Sequence, residues 1–78
     1  MRVKIENTSP GLHPSEVVVG LKTADGVERL VVHRRSIEQN SLDIGYPISD
    51  FKNQYLVELP RETQSGTWRV WVNKELVE

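Results

Sequence analysis

The chain has 78 residues, no cysteine, ten basic and eleven acidic side chains, and a formal charge of −1. A chain of this length forms one small domain, here residues 1–78, with barely enough apolar surface for a single core. The lack of cysteine excludes disulfides and thiolate metal sites, and the balanced charge does not favour a dedicated nucleic-acid binder. No window holds the ~20 apolar residues of a membrane helix, and no apolar run follows Met1. The sequence therefore predicts a cytoplasmic protein without a signal peptide.

The first third of the chain contains a short strand and a long loop. Residues 2–6 alternate apolar with charged side chains, which predicts a strand with Val3 and Ile5 facing inward. Residues 7–15 contain two prolines and several turn formers, and this composition predicts a surface loop.

A β-hairpin is the clearest local feature. Residues 16–22 and 27–33 are rich in β-branched residues and flank Asp25-Gly26, a dipeptide typical of two-residue hairpin loops. That loop places Leu21 opposite Leu30 and Val19 opposite Val32, which gives the hairpin one continuous apolar face. A three-residue loop would mix the two faces, so the sequence favours the two-residue Asp25-Gly26 loop.

The middle of the chain is less regular. Ser36 and Gln39 have the spacing of a capping box over one helical turn. Residues 41–46 alternate again until Pro47, and residues 48–53 form a polar connection that contains Phe51. The alternation places three side chains on one face: Leu42, Ile44 and Tyr46.

The two tryptophans lie in the last strong strand pattern. Residues 54–59 and 67–72 both alternate, and matched faces require Val57 to lie opposite either Val70 or Trp68. Trp68 falls on the face of Val70, whereas Trp71 falls on the opposite face. Asn73 then caps a single turn, and residues 76–77 form a last short strand.

This ending resembles the close of the Src-homology-3-like small barrels: a strand at residues 68–72, a turn at 73–75 and a brief strand at 76–77. The resemblance implies an all-β fold, a small antiparallel barrel or curled sheet of five to six short strands with one or two single-turn helices. The acidic, aromatic-rich groove of the signalling domains has no match here, so their preference for proline-rich ligands is not carried over.

The strand faces predict the core. Trp68 is the largest side chain assigned to it, so Trp68→Ala is expected to cost roughly 3–5 kcal/mol. The predicted core is Val3, Ile5, Val17, Val19, Leu21, Leu30, Val32, Ile37, Leu42, Ile44, Tyr55, Val57, Leu59, Trp68, Val70 and Val72.

No residue pattern points to catalysis or to metal binding. The two histidines, His13 and His33, belong to no catalytic motif, and the carboxylates scatter over turns and outward positions. Twenty residues separate the histidines and there is no cysteine, so no metal-ligand spacing exists. The sequence predicts a protein that is not an enzyme and that has no cofactor and no metal.

The remaining functional signal is an arginine-flanked aromatic. Trp71 beside Arg69 has the composition of an interface hot spot, and Arg34-Arg35 is a second basic position. These four residues are the candidate binding residues of a non-catalytic module with an unknown protein partner. The alternative for Trp71 is that a curled barrel or the loop at residues 9–15 covers it.

Two further functions remain open. A nucleic-acid binder would use the arginines as phosphate contacts and Tyr46 or Trp71 as a stacking surface, although glutamates interleave with the same arginines. A structural homodimer would bury the exposed face against a second copy, so the sequence leaves monomer and homodimer as alternatives.

Overall fold

The computed structural model describes residues 1–78 and is all-β, as the alternation predicts. Nine strands and two single-turn 3-10 helices follow one another along the chain. The strands are β1 (Arg2–Lys4), β2 (Asn7–Pro10), β3 (Glu16–Thr23), β4 (Gly26–His33), β5 (Ile37–Glu38), β6 (Ser41–Asp43), β7 (Ser49–Phe51), β8 (Gln54–Glu58) and β9 (Arg69–Asn73), and the helical turns are Arg34–Ser36 and Lys74–Leu76.

The strands form three antiparallel sheets of three strands each, in the orders β1-β6-β5, β2-β3-β4 and β7-β8-β9. None of these sheets closes into a barrel. The number of strands exceeds the predicted five or six because several have only two to four residues. Strands this short contain too few positions to show an alternation in sequence.

The predicted hairpin is present, but its register differs by two residues. β3 and β4 pair over eight residues each, with Val19 opposite Leu30, and the two-residue loop is Ala24-Asp25 instead of Asp25-Gly26. Gly26 has φ +127 and pairs with Thr23, whose hydroxyl donates to the Gly26 carbonyl at 2.8 Å. A shift of two residues keeps every side chain on the same face, so the inward positions are nevertheless correct.

The loop predicted at residues 7–15 is wrong for its first four residues, which form β2. This polar strand pairs with β3, with Ser9 opposite Val18. Beyond it, the Gly11 amide donates to the Glu16 carbonyl at 3.2 Å, and a Cβ at Gly11 would lie 2.9 Å from the Glu16 Cβ. Glycine is therefore required at position 11, and tertiary pairing overrides the weak strand propensity of β2.

The hydrophobic core contains twelve buried residues, and the alternation predicted all of them. Ile5, Ile37 and Tyr55 are half-buried and pack against this cluster. The buried set is Val3, Val17, Val19, Leu21, Leu30, Val32, Leu42, Ile44, Val57, Leu59, Val70 and Val72.

Trp68 is the one predicted core residue that lies outside the core, since 51% of its surface is exposed. Its carbonyl accepts a hydrogen bond from the Leu59 amide at 2.8 Å, but it precedes the first residue of β9. The tryptophan therefore lies at the end of the sheet, where the core no longer covers the inward face. The cost of 3–5 kcal/mol expected for Trp68→Ala assumed full burial, and that premise is wrong.

The single-turn helices differ in detail from the predicted ones. The first begins after His33, whose Nδ1 accepts a hydrogen bond from the Arg35 amide at 3.2 Å, so Ser36 does not open a capping box. Gln39 and Asn40 have φ values of 51° and 63° and form the turn between β5 and β6. Asn73 precedes the second helical turn, as predicted, but its side chain makes no capping hydrogen bond.

The chain end contributes one bridge instead of a strand. Val77 pairs with Val3 alone, and the Glu78 amide donates to the Arg2 carbonyl at 2.8 Å. Glu78 also accepts a hydrogen bond at 2.8 Å from the hydroxyl of Ser41, a fully buried polar residue in β6. The C-terminus is thereby fixed against the β1-β6-β5 sheet.

Candidate functional site

The outer face of the β7-β8-β9 sheet carries two of the four candidate residues. In the register of β8 and β9, Leu56 lies opposite Trp71 and Glu58 lies opposite Arg69. Val57, Val70 and Val72 alternate with these positions and belong to the core. Because successive side chains of a strand point to opposite faces, Leu56, Arg69 and Trp71 share the face turned away from the core. The predicted assignment of Trp71 and Arg69 to one face is confirmed.

Trp71 is half-buried and does not belong to the core. Neither its indole nor the Leu56 side chain is among the half-buried apolar groups that pack against the core cluster. The Trp71 carbonyl accepts a hydrogen bond at 2.9 Å from the amide of Ala24, in the turn between β3 and β4. That bond joins β9 to the hairpin and fixes the backbone from which the indole projects.

Arg69 forms an ion pair with Glu58 across the two strands. Its Nε lies 3.2 Å from the Glu58 Oε2, and both side chains are more than half exposed. An exposed pair of this kind contributes only ~0–1 kcal/mol to stability. The pair follows the Leu56–Trp71 register pair along the two strands and places charged side chains beside apolar ones on this face.

Arg34 and Arg35 lie elsewhere. They form the helical turn after β4, where the Arg34 Nε donates to the Pro14 carbonyl at 3.0 Å and the Arg34 amide donates to the Ser15 carbonyl at 2.7 Å. Trp71 contacts the opposite end of the hairpin, at Ala24. An eight-residue strand spans about 25 Å, so the four candidate residues do not form one site.

Several apolar side chains in and before β7 are exposed. Tyr46, assigned to the face of Leu42 and Ile44 but not to the core, is 92% exposed and lies beyond the end of β6. Phe51 was placed in a polar connection and instead ends β7 with 59% of its surface exposed. The only sequence signal for this region is Pro47, which interrupts the alternation after Tyr46.

Two pockets open on the surface. One has a volume of 310 Å³ and is lined only by polar residues, Asn53, Asn73, Lys74 and Glu75. The other, of 410 Å³, lies between residues 43–48 and 58–60 and is lined by four hydrophobic residues among eight. Neither pocket contains a histidine.

The two histidines are exposed and lie outside any acid–base arrangement. The His33 Nδ1 is occupied by the Arg35 amide, so this ring has a structural role at the start of the helical turn. No three histidine, aspartate or glutamate side chains come together in a way that would hold a metal ion. No helix has the length and apolar composition needed to span a bilayer.

A scan against protein-family models and searches of curated proteins and of solved structures find no match to this chain.

Proposed function

We propose that the protein is a non-catalytic protein-interaction module that binds a partner through the outer face of the β7-β8-β9 sheet. The observation that carries this proposal is the half-buried Trp71, which faces away from the core and lies opposite Leu56. Aromatic side chains and arginines dominate the energy of protein interfaces because they combine large apolar area with directional contacts. Trp71 and Arg69 supply that combination on neighbouring outward positions of one strand.

The backbone around Trp71 favours binding because it is already fixed. β9 pairs with β8 over five residues, and the Ala24 amide holds the Trp71 carbonyl from the other side. A partner would therefore order few protein groups when it covers the indole, and such preorganisation lowers the entropic cost of association. Arg34 and Arg35, at the other end of the hairpin, are not part of this proposed surface.

We also propose that the three sheets approximate a curled, incompletely closed small barrel of the Src-homology-3-like type. Two backbone hydrogen bonds between sheets or their flanking segments support this: Ala24 to Trp71 at 2.9 Å and Gln64 to Arg29 at 2.7 Å. Nuclear Overhauser contacts between Ala24 and Trp71 in solution test it. Their absence would mean that the hairpin and β9 do not curl toward each other.

Nucleic acid is the second candidate, favoured by Arg34 and Arg35, which make no ion pair. Against it, Arg61 lies 3.9 Å from Glu16, and Arg69 is paired with Glu58. An arginine that is paired with a carboxylate attracts a phosphate less strongly. Salt distinguishes the two candidates, because phosphate contacts weaken steeply with ionic strength whereas an aromatic-centred contact does not.

The test is affinity capture from a lysate of the source organism with three baits: wild type, Trp71→Ala and Val31→Ala. Val31 is a matched control because it is half-buried and faces outward, but it lies on β4 in another sheet. Circular dichroism establishes that each bait is folded, and each is washed at low and at moderate salt. The partner is then purified and its Kd measured against all three.

We expect a protein that binds wild type and Val31→Ala alike and binds Trp71→Ala at least about tenfold more weakly, which corresponds to ~1.4 kcal/mol. Equal binding to all three baits would contradict the proposed surface. Captured nucleic acid that is lost at moderate salt would replace this proposal by the second candidate. A molecular mass that doubles with concentration for wild type alone would favour the homodimer.

A further inference from the structure

The edge strand β7 combines an open edge with exposed apolar side chains. β7 pairs only with β8, and all three of its residues are exposed. Tyr46 and Ile48, just before it, are 92% and 45% exposed, and Phe51 is 59% exposed. Edge strands present unpaired N–H and C=O groups to solvent, so they are ready to pair with another chain.

Three other outer strands, β2, β4 and β9, differ from β7. On β4, the Arg29 carbonyl accepts a hydrogen bond from the Gln64 amide at 2.7 Å, and on β9 the Trp71 carbonyl accepts one from Ala24 at 2.9 Å. β2 ends in Pro10, which has no N–H to donate, and has no apolar side chain besides that ring. β7 thus combines an unpaired outer edge with exposed apolar side chains on the strand and just before it.

A groove of 410 Å³ continues from this edge, between residues 43–48 and 58–60. Its four hydrophobic lining residues are Ile44, Tyr46, Ile48 and Leu59, of which Tyr46 and Ile48 are exposed. The Ile48 amide donates to the Leu56 carbonyl at 2.8 Å, so the backbone at the mouth of the groove is joined to β8. An extended chain paired with β7 that continues past Ile48 would place side chains over this groove, half of whose lining residues are hydrophobic.

The charge of the groove is negative. Asp43 and Glu58 line it, and no basic residue does. Arg69 pairs with Glu58 of the groove at 3.2 Å. Two further arginines are engaged with carboxylates outside it: Arg2, opposite Asp43, pairs with Glu38 at 3.2 Å, and Arg61 lies 3.9 Å from Glu16. Arg69 contacts the Glu58 Oε2, so the Oε1 of the same carboxylate can still attract a basic ligand. A ligand that carries lysine or arginine complements this surface.

We propose that the β7 edge and its groove bind an extended segment of a partner protein in which apolar residues alternate with lysine or arginine, added as a strand to β7. Main-chain hydrogen bonds supply affinity in this mode and the groove supplies side-chain specificity. The site shares Glu58 with the rim of the Arg69–Trp71 face, but the β7 edge and the apolar part of the groove lie outside that face.

The probe is a fluorescein-labelled ten-residue peptide of alternating valine and lysine, with a glutamate-for-lysine version as the charge control. Fluorescence anisotropy measures the Kd of each peptide for the wild-type protein at moderate salt. We expect the lysine peptide to bind at least about tenfold more tightly than the glutamate peptide. Equal Kd values for the two peptides would overturn the assigned charge complementarity.

Matched variants locate the binding. Asp43→Asn and Glu75→Gln change the net charge equally, but Glu75 lies in the polar pocket and not in the groove. Ile48→Ser and Val27→Ser remove apolar side chains of similar exposure, 45% and 50%, and Val27 lies in β4. We expect Asp43→Asn and Ile48→Ser to weaken the lysine peptide at least about threefold and their controls to leave it unchanged. Losses of equal size within each pair would overturn the site.

Backbone methylation tests strand addition itself. Two further lysine peptides carry N-methyl groups on alternate residues, one on the odd positions and one on the even positions. Because an added strand pairs through alternate residues, one methylated peptide should lose binding and the other should retain it. Equal binding by both would overturn strand addition. A wild-type dimer that Ile48→Ser converts to monomer would show that a second copy, and not a partner segment, occupies the edge.

Discussion

The β3–β4 hairpin and the segment at residues 44–51 differ in how their apolar side chains are covered. In the hairpin, the inward residues Val19 and Leu30 are fully buried opposite each other. In the segment, Ile44 is buried, but Tyr46 and Ile48 are exposed. Alternation therefore predicts the face on which a side chain lies, but not whether another element covers it.

The difference lies in what is packed over each region. The hairpin sits against the core, and residues 63–66 run beside β4, where the Gln64 amide donates to the Arg29 carbonyl. No element pairs with the outer edge of β7. Burial of an aliphatic side chain contributes ~1.5–3 kcal/mol, so the hairpin stabilises the fold while the exposed aromatics of the segment contribute little. Those side chains remain available to a partner.

Leu30→Ala is the variant that we expect to lose the most stability. Leu30 is fully buried, and its truncation removes apolar contacts and leaves a cavity, so we expect a loss of about 2–5 kcal/mol in the free energy of unfolding. Urea denaturation followed by circular dichroism measures it. Val27→Ala in the same strand, at a half-exposed position, is the control and should cost less than ~1 kcal/mol. Similar losses for both would mean that the hairpin faces are not distinguished by burial.

Thr63→Val tests how much the segment at residues 63–66, beside β4, contributes to stability. Thr63 is buried, its hydroxyl accepts a hydrogen bond from the Thr67 amide at 3.0 Å, and its own amide donates to the Thr67 carbonyl at 2.8 Å. The isosteric change leaves the Thr67 amide without its acceptor, so we expect a loss of ~1–3 kcal/mol by urea denaturation. Gln64→Ala, which keeps the backbone bond to β4, is the control, and an equal loss there would contradict the assigned role of the hydroxyl.

Trp68→Ala tests whether the core extends as far as Trp68. Half of the Trp68 surface is exposed, and area estimates of burial are upper bounds, so we expect a cost of about 1–2 kcal/mol, less than Leu30→Ala. Thermal unfolding of the two variants side by side gives the ranking. A Trp68→Ala loss above that of Leu30→Ala would restore Trp68 to the core.

The Arg69–Glu58 pair should contribute little to stability. A double-mutant cycle with Arg69→Ala and Glu58→Ala is expected to give a coupling of ~0–1 kcal/mol that decreases with salt, because both groups are exposed. A coupling above ~2 kcal/mol that persists at high salt would show that this face is covered within the free protein.

Sequence reasoning predicted the all-β fold, the inward faces and the buried aliphatic core, because these depend on a side-chain period of two. It missed the loop position of the hairpin, since Asp25-Gly26 has the preferred turn composition but Gly26 instead pairs with Thr23. It missed β2 because pairing with β3, and not local propensity, makes that segment a strand. These features depend on tertiary contacts that no local pattern encodes.

The candidate site was predicted in part. The outward position of Trp71 and its proximity to Arg69 followed from alternation along one strand. The distance that separates Arg34 and Arg35 from Trp71 depends on how the hairpin lies relative to β9, which the sequence does not reveal. Tyr46 was named only as a stacking surface for nucleic acid, and Phe51 was missed, because exposure of an apolar side chain depends on the absence of a covering element.

The most direct test of the contrast between the two regions is the free energy of unfolding of the double variant Tyr46→Ser/Phe51→Ser. Both side chains are more than half exposed, so we expect a change of less than ~1 kcal/mol and an unchanged circular dichroism spectrum. Such a result means that these aromatics are not needed for folding. A loss as large as that of Leu30→Ala would mean that the segment belongs to the core and has no apolar surface to offer a partner.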